Sequence, residues 1–374
     1  MHFLAQIHPT FRLSIFLIGL LLLSQPTFAQ KRPPKPQVTS GEKKACYRLS
    51  HVWKPEVFQG GNKRKRYYEG WYFKCVAADG KSSFALIPGI AMAGKGKKGQ
   101  TSHAFIQFID GETAETEWFE FPFDAFRYSQ KRFKVWIGEN YFSEDSIHLA
   151  IENNSRILKG DLKFTNLQRW PVRPLSPGIM GGYRFVPAME TCHGLLSMDH
   201  KVNGSLQNGQ KKWTIENGSG YIEKDWGSSF PSSYVWMQSN GFAEDSASFM
   251  CSIATIPYLG KHFTGFLGYF WLNGNRYSFA TYTHAKLEDL IIQENKISLL
   301  IRERKFSIEV KASRKQSGIL LAPQAGQMER RISESVEAEI QLRVLNKKGA
   351  VIFEGIGKNA GLEIVGDTAE LLSK

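Results

Sequence analysis

From Cys46 onward the chain carries almost no stretch with helical periodicity, and this restricts it to folds assembled from strands. Residues 82–93 (SSFALIPGIAMA), 102–110 (SHAFIQFID), 146–152 (SIHLAIE) and 156–165 (RILKGDLKFT) are short, bounded by turn residues and in several places alternate polar with apolar. The second half repeats the style at 233–240, 247–256, 276–283, 296–301, 305–311 and 336–343. The dipeptides Asn203-Gly204, Asn208-Gly209 and Asn273-Gly274 are of the kind that closes hairpins. Only 286–293 and 367–373 read as helices, both short. Many short strands at even spacing predict an all-β sandwich or barrel. Hydrophobic residues make up 42% of the chain, enough to fill its core and too many for a disordered polymer.

The N-terminus has a different character. Arg12 precedes the apolar run Leu13 to Leu23, and Thr27-Phe28-Ala29 offers small residues at cleavage spacing, which is the pattern of a secretory signal cut after Ala29. The run is shorter than the roughly 20 residues a bilayer span needs. The expected location is therefore secreted or periplasmic, with membrane association open. Residues 30–45, rich in proline and lysine, read as a linker. The formal net charge is +13, and removing residues 1–29 takes away one arginine and no acid. Such a balance suits a solvated surface or an anionic membrane surface, and export argues against nucleic acid. Cys46, Cys75, Cys192 and Cys251 contain no C-x-x-C, so zinc and thioredoxin-type readings have no support. They are either buried free thiols or disulfide partners with three possible pairings.

Two tryptophan clusters divide the ordered part. Glu69-Gly70-Trp71-Tyr72 precedes one run of strands and Glu223-Lys224-Asp225-Trp226-Gly227 the other, which hints at duplication. The expected domains are 46–218 and 219–374. Neither cluster matches the Gly-x-Trp spacing of a lipocalin barrel plug, because glycine and tryptophan are adjacent in both.

Three segments concentrate chemistry. In 220–242 (GYIEKDWGSSFPSSYVWMQSNGF) the carboxyls of Glu223 and Asp225 lie near Trp226 and Trp236, and strand alternation sets Tyr234, Trp236 and Gln238 on one face. Such a face is an aromatic wall for an isoprenoid and for a cation, or simply core. In 66–74 (RYYEGWYFK) Glu69 sits among Tyr67, Tyr68, Trp71 and Tyr72. Rings desolvate a carboxyl, raise its pKa and suit it to general-acid work; the plainer alternative is a salt bridge to a nearby lysine or arginine. In 189–200 (METCHGLLSMDH) Glu190, His193, Asp199 and His200 are candidates for proton transfer or for binding a phenol, with His-x6-His too loose to signal a metal. No P-loop, Rossmann fingerprint, G-x-S-x-G or H-E-x-x-H occurs. The run 94–99 (GKGKKG) imitates a phosphate loop without its Lys-Ser/Thr ending and reads as a hairpin tip.

The ordered set EGWYFK (69–74), ETCHGLLSMDH (190–200) and YIEKDWGSSFPSSYVWMQSNGF (221–242) resembles the tocopherol cyclase family. The later stretches 256–283, 321–335 and 355–367 fit it too, so the resemblance spans roughly residues 50–367. A more distant similarity is to carotenoid hydratases, which share a duplicated lipocalin-like barrel. The resemblance implies two lipocalin-like antiparallel β-barrel halves and a cyclisation. A proton adds to the prenyl alkene of a benzoquinol, and the neighbouring phenol captures the tertiary cation to give a chromanol, with no cofactor or metal required. It implies Asp225 or Glu223 as proton donor, Trp226 and Trp236 as walls for the cation, Trp71 and Tyr234 as further substrate contacts, and Glu69, His193 and Gln238 as positioning groups. The expected partner is a prenylated quinol or another isoprenoid. Export departs from the family's association with photosynthetic membranes and leaves the native substrate open. The competing readings are a non-catalytic lipid or quinone carrier and, less favoured, a glycan binder.

Overall fold

In the computed structural model, which describes residues 35–39, 49–94, 101–153, 156–187, 189–243, 246–258 and 260–372, the chain is built almost wholly of strands. They form two large sheets, which are the two lipocalin-like halves expected from the sequence. The first runs from Gln37–Val38 at one edge through the ladder Phe126–Tyr128 to Arg156–Thr165, then Thr191–Asn208, Lys211–Gly227, Tyr67–Val76, Ser83–Met92 and His103–Asp110, to Thr116–Pro122. The second runs from Asn275–Ala280 through Lys261–Leu272, Ala247–Tyr258, Tyr234–Ser239, Val351–Val365 and Gln327–Asn346 to Lys286–Gln293, with Gly318–Gln324 paired to Gln327–Asn346. Among the described residues pairing is antiparallel except where Gln37–Val38 lies parallel to Arg127–Tyr128. That short edge strand falls inside the stretch expected to be linker.

Three apolar clusters organise the packing. Trp71, Phe73, Phe84, Phe126 and Phe142 belong to a core inside the first sheet. Val235, Phe249, Phe270, Ile308 and Leu342 belong to a core inside the second. The third lies in the seam between the sheets, where Tyr72, Tyr221, Tyr234, Trp236, Met250 and Ile332 meet. Strand alternation explains how one strand serves two cores. On Tyr67–Val76, Tyr67, Trp71, Phe73 and Cys75 point into the first core, while Tyr72 points into the seam. Polar clamps cross the seam as well. The Gln107 side-chain amide donates to the Leu321 carbonyl at 3.0 Å and its Oε1 accepts the Leu321 N–H at 2.8 Å. Ser248 Oγ donates to the Met198 carbonyl at 2.7 Å.

Several expectations are corrected. Residues 286–293 form a strand, not a helix. A bulge between Glu288 and Ile291, with Asp289 at φ 53°, breaks the two-residue alternation, and the shifted apolar spacing imitates a helical one. The 367–373 expectation holds as the short helix Ala369–Leu372. Asn208-Gly209 and Asn273-Gly274 turn the chain between paired strands, but Asn203-Gly204 lies inside Thr191–Asn208. There Gly204, at φ 138°, lies against the Asp161 carbonyl, which an added Cβ would meet at 2.0 Å. The two tryptophan clusters are not equivalent starts of two halves. Lys211–Gly227 pairs antiparallel with Tyr67–Val76, placing Trp226 opposite Glu69 and Lys224 opposite Trp71. The strand Lys211–Gly227 runs through the expected boundary at 218/219 and belongs to the first sheet, while the second sheet's first strand begins at Tyr234. Cys75, Cys192 and Cys251 are buried free thiols. Cys46, the signal segment 1–29 and most of the 94–99 tip lie outside the described residues.

Candidate active site

The seam opens into a cavity of about 360 Å³, within the range of small-molecule sites. Its walls come from both sheets. Tyr68, Gly70 and Tyr72 face it from one strand, Glu223 and Asp225 from the next, and His193 from Thr191–Asn208. The second sheet contributes Tyr234, Trp236, Ile332, Glu334 and Glu363. Gly361 leaves room for the indole of Trp236, since a Cβ there would stand 2.5 Å from it.

His193 bridges two carboxyls. Its Nδ1 lies 2.9 Å from Asp225 Oδ1 and its Nε2 lies 3.4 Å from Glu223 Oε2. Burial alone would lower the imidazole's pKa, but the charges of Asp225 and Glu223 outweigh it and raise it to about 9, so His193 is an imidazolium at neutral pH. Glu223 is buried, and loss of solvent raises its pKa to about 7 against the opposing pull of His193. Its Oε2 accepts hydrogen bonds from Tyr221 and, at 3.2 Å, from Trp236 Nε1. A carboxyl poised between acid and carboxylate at neutral pH is what general-acid chemistry needs. The ligand atoms of His193, Glu223 and Asp225 lie within 4.8 Å of one another, so the three can hold a metal ion, though a cation would compete with the imidazolium proton.

Of the residues singled out from the sequence, His193, Glu223, Asp225, Tyr234 and Trp236 line the cavity, and Glu69, Trp71, Trp226 and Gln238 do not. Alternation accounts for three of these exceptions: Glu69 and Trp71 occupy the odd positions of Tyr67–Val76, and Trp226 the even face of its strand, which point into the first half. Glu69 is a structural ion-pair partner. Lys224 Nζ sits 2.6 Å from its Oε1, and the carboxylate also accepts the N–H groups of Gln59 and Gly60 and the hydroxyl of Tyr67. The salt-bridge alternative for Glu69 is thus the one its surroundings match. Trp71 stacks on Phe133 with centroids 5.4 Å apart. Trp226 already carries two protein cations on its ring, Lys224 Nζ at 4.7 Å and the Arg184 guanidinium at 4.9 Å. Gln238 shares the seam face with Trp236 but is buried beyond the cavity, accepting from Lys74 Nζ at 3.0 Å.

Sequence reasoning gave no role to Glu334 or Glu363. They are cross-strand neighbours in the ladder of Gln327–Asn346 with Val351–Val365. Tyr72 donates to Glu334 Oε1 at 2.5 Å and Tyr234 to Glu363 Oε2 at 2.5 Å. The signal was present in Ile332, Glu334 and Val336, a single acid on an otherwise apolar strand face.

A family model described as tocopherol cyclase-like matches residues 168–366, more than half of the 374-residue chain. No curated protein sequence matches. Among solved structures the chain is similar to CghA with Sch210972, at 11% identity and a TM-score of 0.55, over 91% of this chain and 96% of that one. Kievitone hydratase from Nectria haematococca matches at 12% identity and 0.46, over 90% and 99%. An AttH-like protein from Nitrosomonas europaea matches at 12% and 0.44, over 87% and 98%. At such identities the likeness to CghA is one of fold.

Proposed function

Because the chain belongs to the tocopherol cyclase-like family, we propose that it is an enzyme that closes a prenylated benzoquinol to a chromanol by protonating the prenyl alkene in the seam cavity. The observation that carries this reading is Glu223, a buried carboxyl raised to about 7 that faces a cavity walled by Tyr234, Trp236, Phe230 and Phe105. The neutral carboxyl gives its proton to the less substituted alkene carbon. The tertiary cation that forms lies among aromatic faces, whose quadrupoles favour it, and beside the carboxylate just produced. The phenol oxygen attacks the cation, and its proton passes to Asp225. His193 contacts Asp225 through one nitrogen and Glu223 through the other, so the imidazolium can return a proton to Glu223, and the phenol proton held by Asp225 then recharges the imidazole and restores all three groups. The reaction is an isomerisation with no net proton change. Excluding water from the seam keeps the cation from being hydrated instead.

The native substrate is a greasy molecule bearing a prenyl alkene beside a phenol, matched to a cavity that is apolar apart from its carboxyls, His193 and a few hydroxyls and amides. The apolar leader at 1–29 supports an exported enzyme meeting that substrate outside the cytoplasm. The test is product analysis after incubation with a prenylated benzoquinol. Chromanol formed by the wild type and lost in Glu223→Gln and Asp225→Asn supports the enzyme. Tight binding without product, in the wild type as in the variants, would mean a carrier.

A further inference from the structure

We propose that Glu334 and Glu363 form a second recognition station in the cavity, a buried carboxyl pair that donates a hydrogen bond to an oxygen of the ligand other than the one that meets Asp225. This rests on the seam cavity being the ligand site, as proposed above.

The pair is unlike every other acid in the described seam. The two glutamates stand directly opposite each other across an antiparallel ladder, and both face the cavity. Glu334 is fully buried and Glu363 is 8% exposed. Neither has a salt bridge among the described residues. Two adjacent carboxylates in such a place repel and are poorly solvated, so the pair keeps at least one proton at neutral pH. Burial raises Glu363 to about 8 and pushes Glu334 well above the carboxylate range, with the Tyr234 and Tyr72 hydroxyls opposing. The surrounding charges do not reverse this. Lys74 pulls Glu334 down but is itself buried, lowered to about 7 and bonded to Gln238. Arg330 pulls Glu363 down, while Glu223 and Asp225 push it up.

The direction of the free hydrogen bond follows from the tyrosines. Each hydroxyl donates to one oxygen, Oε1 of Glu334 and Oε2 of Glu363, leaving the other oxygen to carry the proton. On Glu334 that other oxygen, Oε2, is buried with no hydrogen-bond partner among the described residues. A buried donor without an acceptor is costly, and in a cavity wall the missing acceptor is supplied by what the cavity holds. A neutral carboxyl selects an ether, hydroxyl or carbonyl oxygen and repels an anion. A ligand with two oxygen functions therefore places one at His193–Asp225 and the other at Glu334–Glu363.

The test compares two probes with saturated tails, which cannot cyclise: an alkyl hydroquinone and the alkyl phenol lacking its second hydroxyl. Binding is read by tryptophan fluorescence in the wild type, Glu334→Gln and Glu334→Leu. The wild type is expected to prefer the hydroquinone by roughly 10–100-fold. Glu334→Gln, which keeps a donor, retains a preference. Glu334→Leu loses it while still binding the phenol, which also shows that the variant is folded. If Glu334→Leu does not fold, collapse of the preference in a Glu334→Met variant serves the same purpose. Equal binding of the two probes by the wild type, or an undiminished preference in the apolar variant, overturns the second station and leaves the cavity standing. Binding of neither probe by the wild type overturns the cavity reading and this inference with it.

Discussion

Glu69 and Glu223 invite the same reading from sequence and have opposite roles in the fold. Both are buried, both lie among tyrosine and tryptophan, and they sit on strands that pair with each other. Glu69 faces the interior of the first half, where a lysine, two backbone amides and a tyrosine hydroxyl saturate it. Glu223 faces the seam, where its cationic neighbour is an imidazolium shared with Asp225. Aromatic surroundings desolvate a carboxyl, but the number of donors and the ownership of the nearest cation decide how firmly its charge is held. The same alternation turns Glu223 and Asp225 toward the seam cavity and Lys224 and Trp226 into the first half.

The largest expected difference between the faces is in turnover. Glu223→Gln is expected to cut chromanol formation by on the order of 10²–10⁴-fold, with a melting temperature close to the wild type; an equal loss of folding would erase the distinction. Lys224→Met should instead act on stability. It strands the Glu69 carboxylate in the first core and is expected to cost about 3–5 kcal/mol in urea unfolding, while a wild-type stability would show that the ion pair is dispensable.

The third expectation concerns pH. His193 has a folded pKa of about 9, above its ordinary value near 6.5, so its contribution to stability is fully present below pH 6.5 and lost as pH rises through 9. The stability gap between wild type and His193→Gln should therefore narrow above pH 9, as measured by urea midpoints; a constant gap would place the imidazolium elsewhere. The smallest effect is a shift in profile. The Tyr221 hydrogen bond holds the pKa of Glu223 down, so Tyr221→Phe should move the alkaline fall of activity to higher pH. A shift to lower pH would contradict that bond's role.

What is legible in the sequence is set by what alternation can and cannot carry. Strand positions such as 156–165 and 247–256 emerge from local pattern because one face of each is apolar. The face-sharing of Tyr234 and Trp236 emerges for the same reason. Which of two buried faces meets a cavity does not, because both sides of Tyr67–Val76 are aromatic-rich and each carries one charged residue, Glu69 on one and Lys74 on the other. Nor does the assignment of Lys211–Gly227 to the first sheet, which depends on pairing with a strand about 150 residues earlier in the chain. Glu334 and Glu363 escaped because their meaning lies in each other, 29 residues apart, and in tyrosines supplied from two different sheets.

The proton's path gives the most direct test. Wild-type protein and a prenylated benzoquinol are incubated in deuterium oxide, and the chromanol is examined by NMR and mass spectrometry. Donation from an exchangeable carboxyl places a single deuterium on the ring carbon beside the new quaternary ether carbon, and Glu223→Gln suppresses that product. Unlabelled chromanol, or labelled chromanol formed as fast without Glu223, would contradict it.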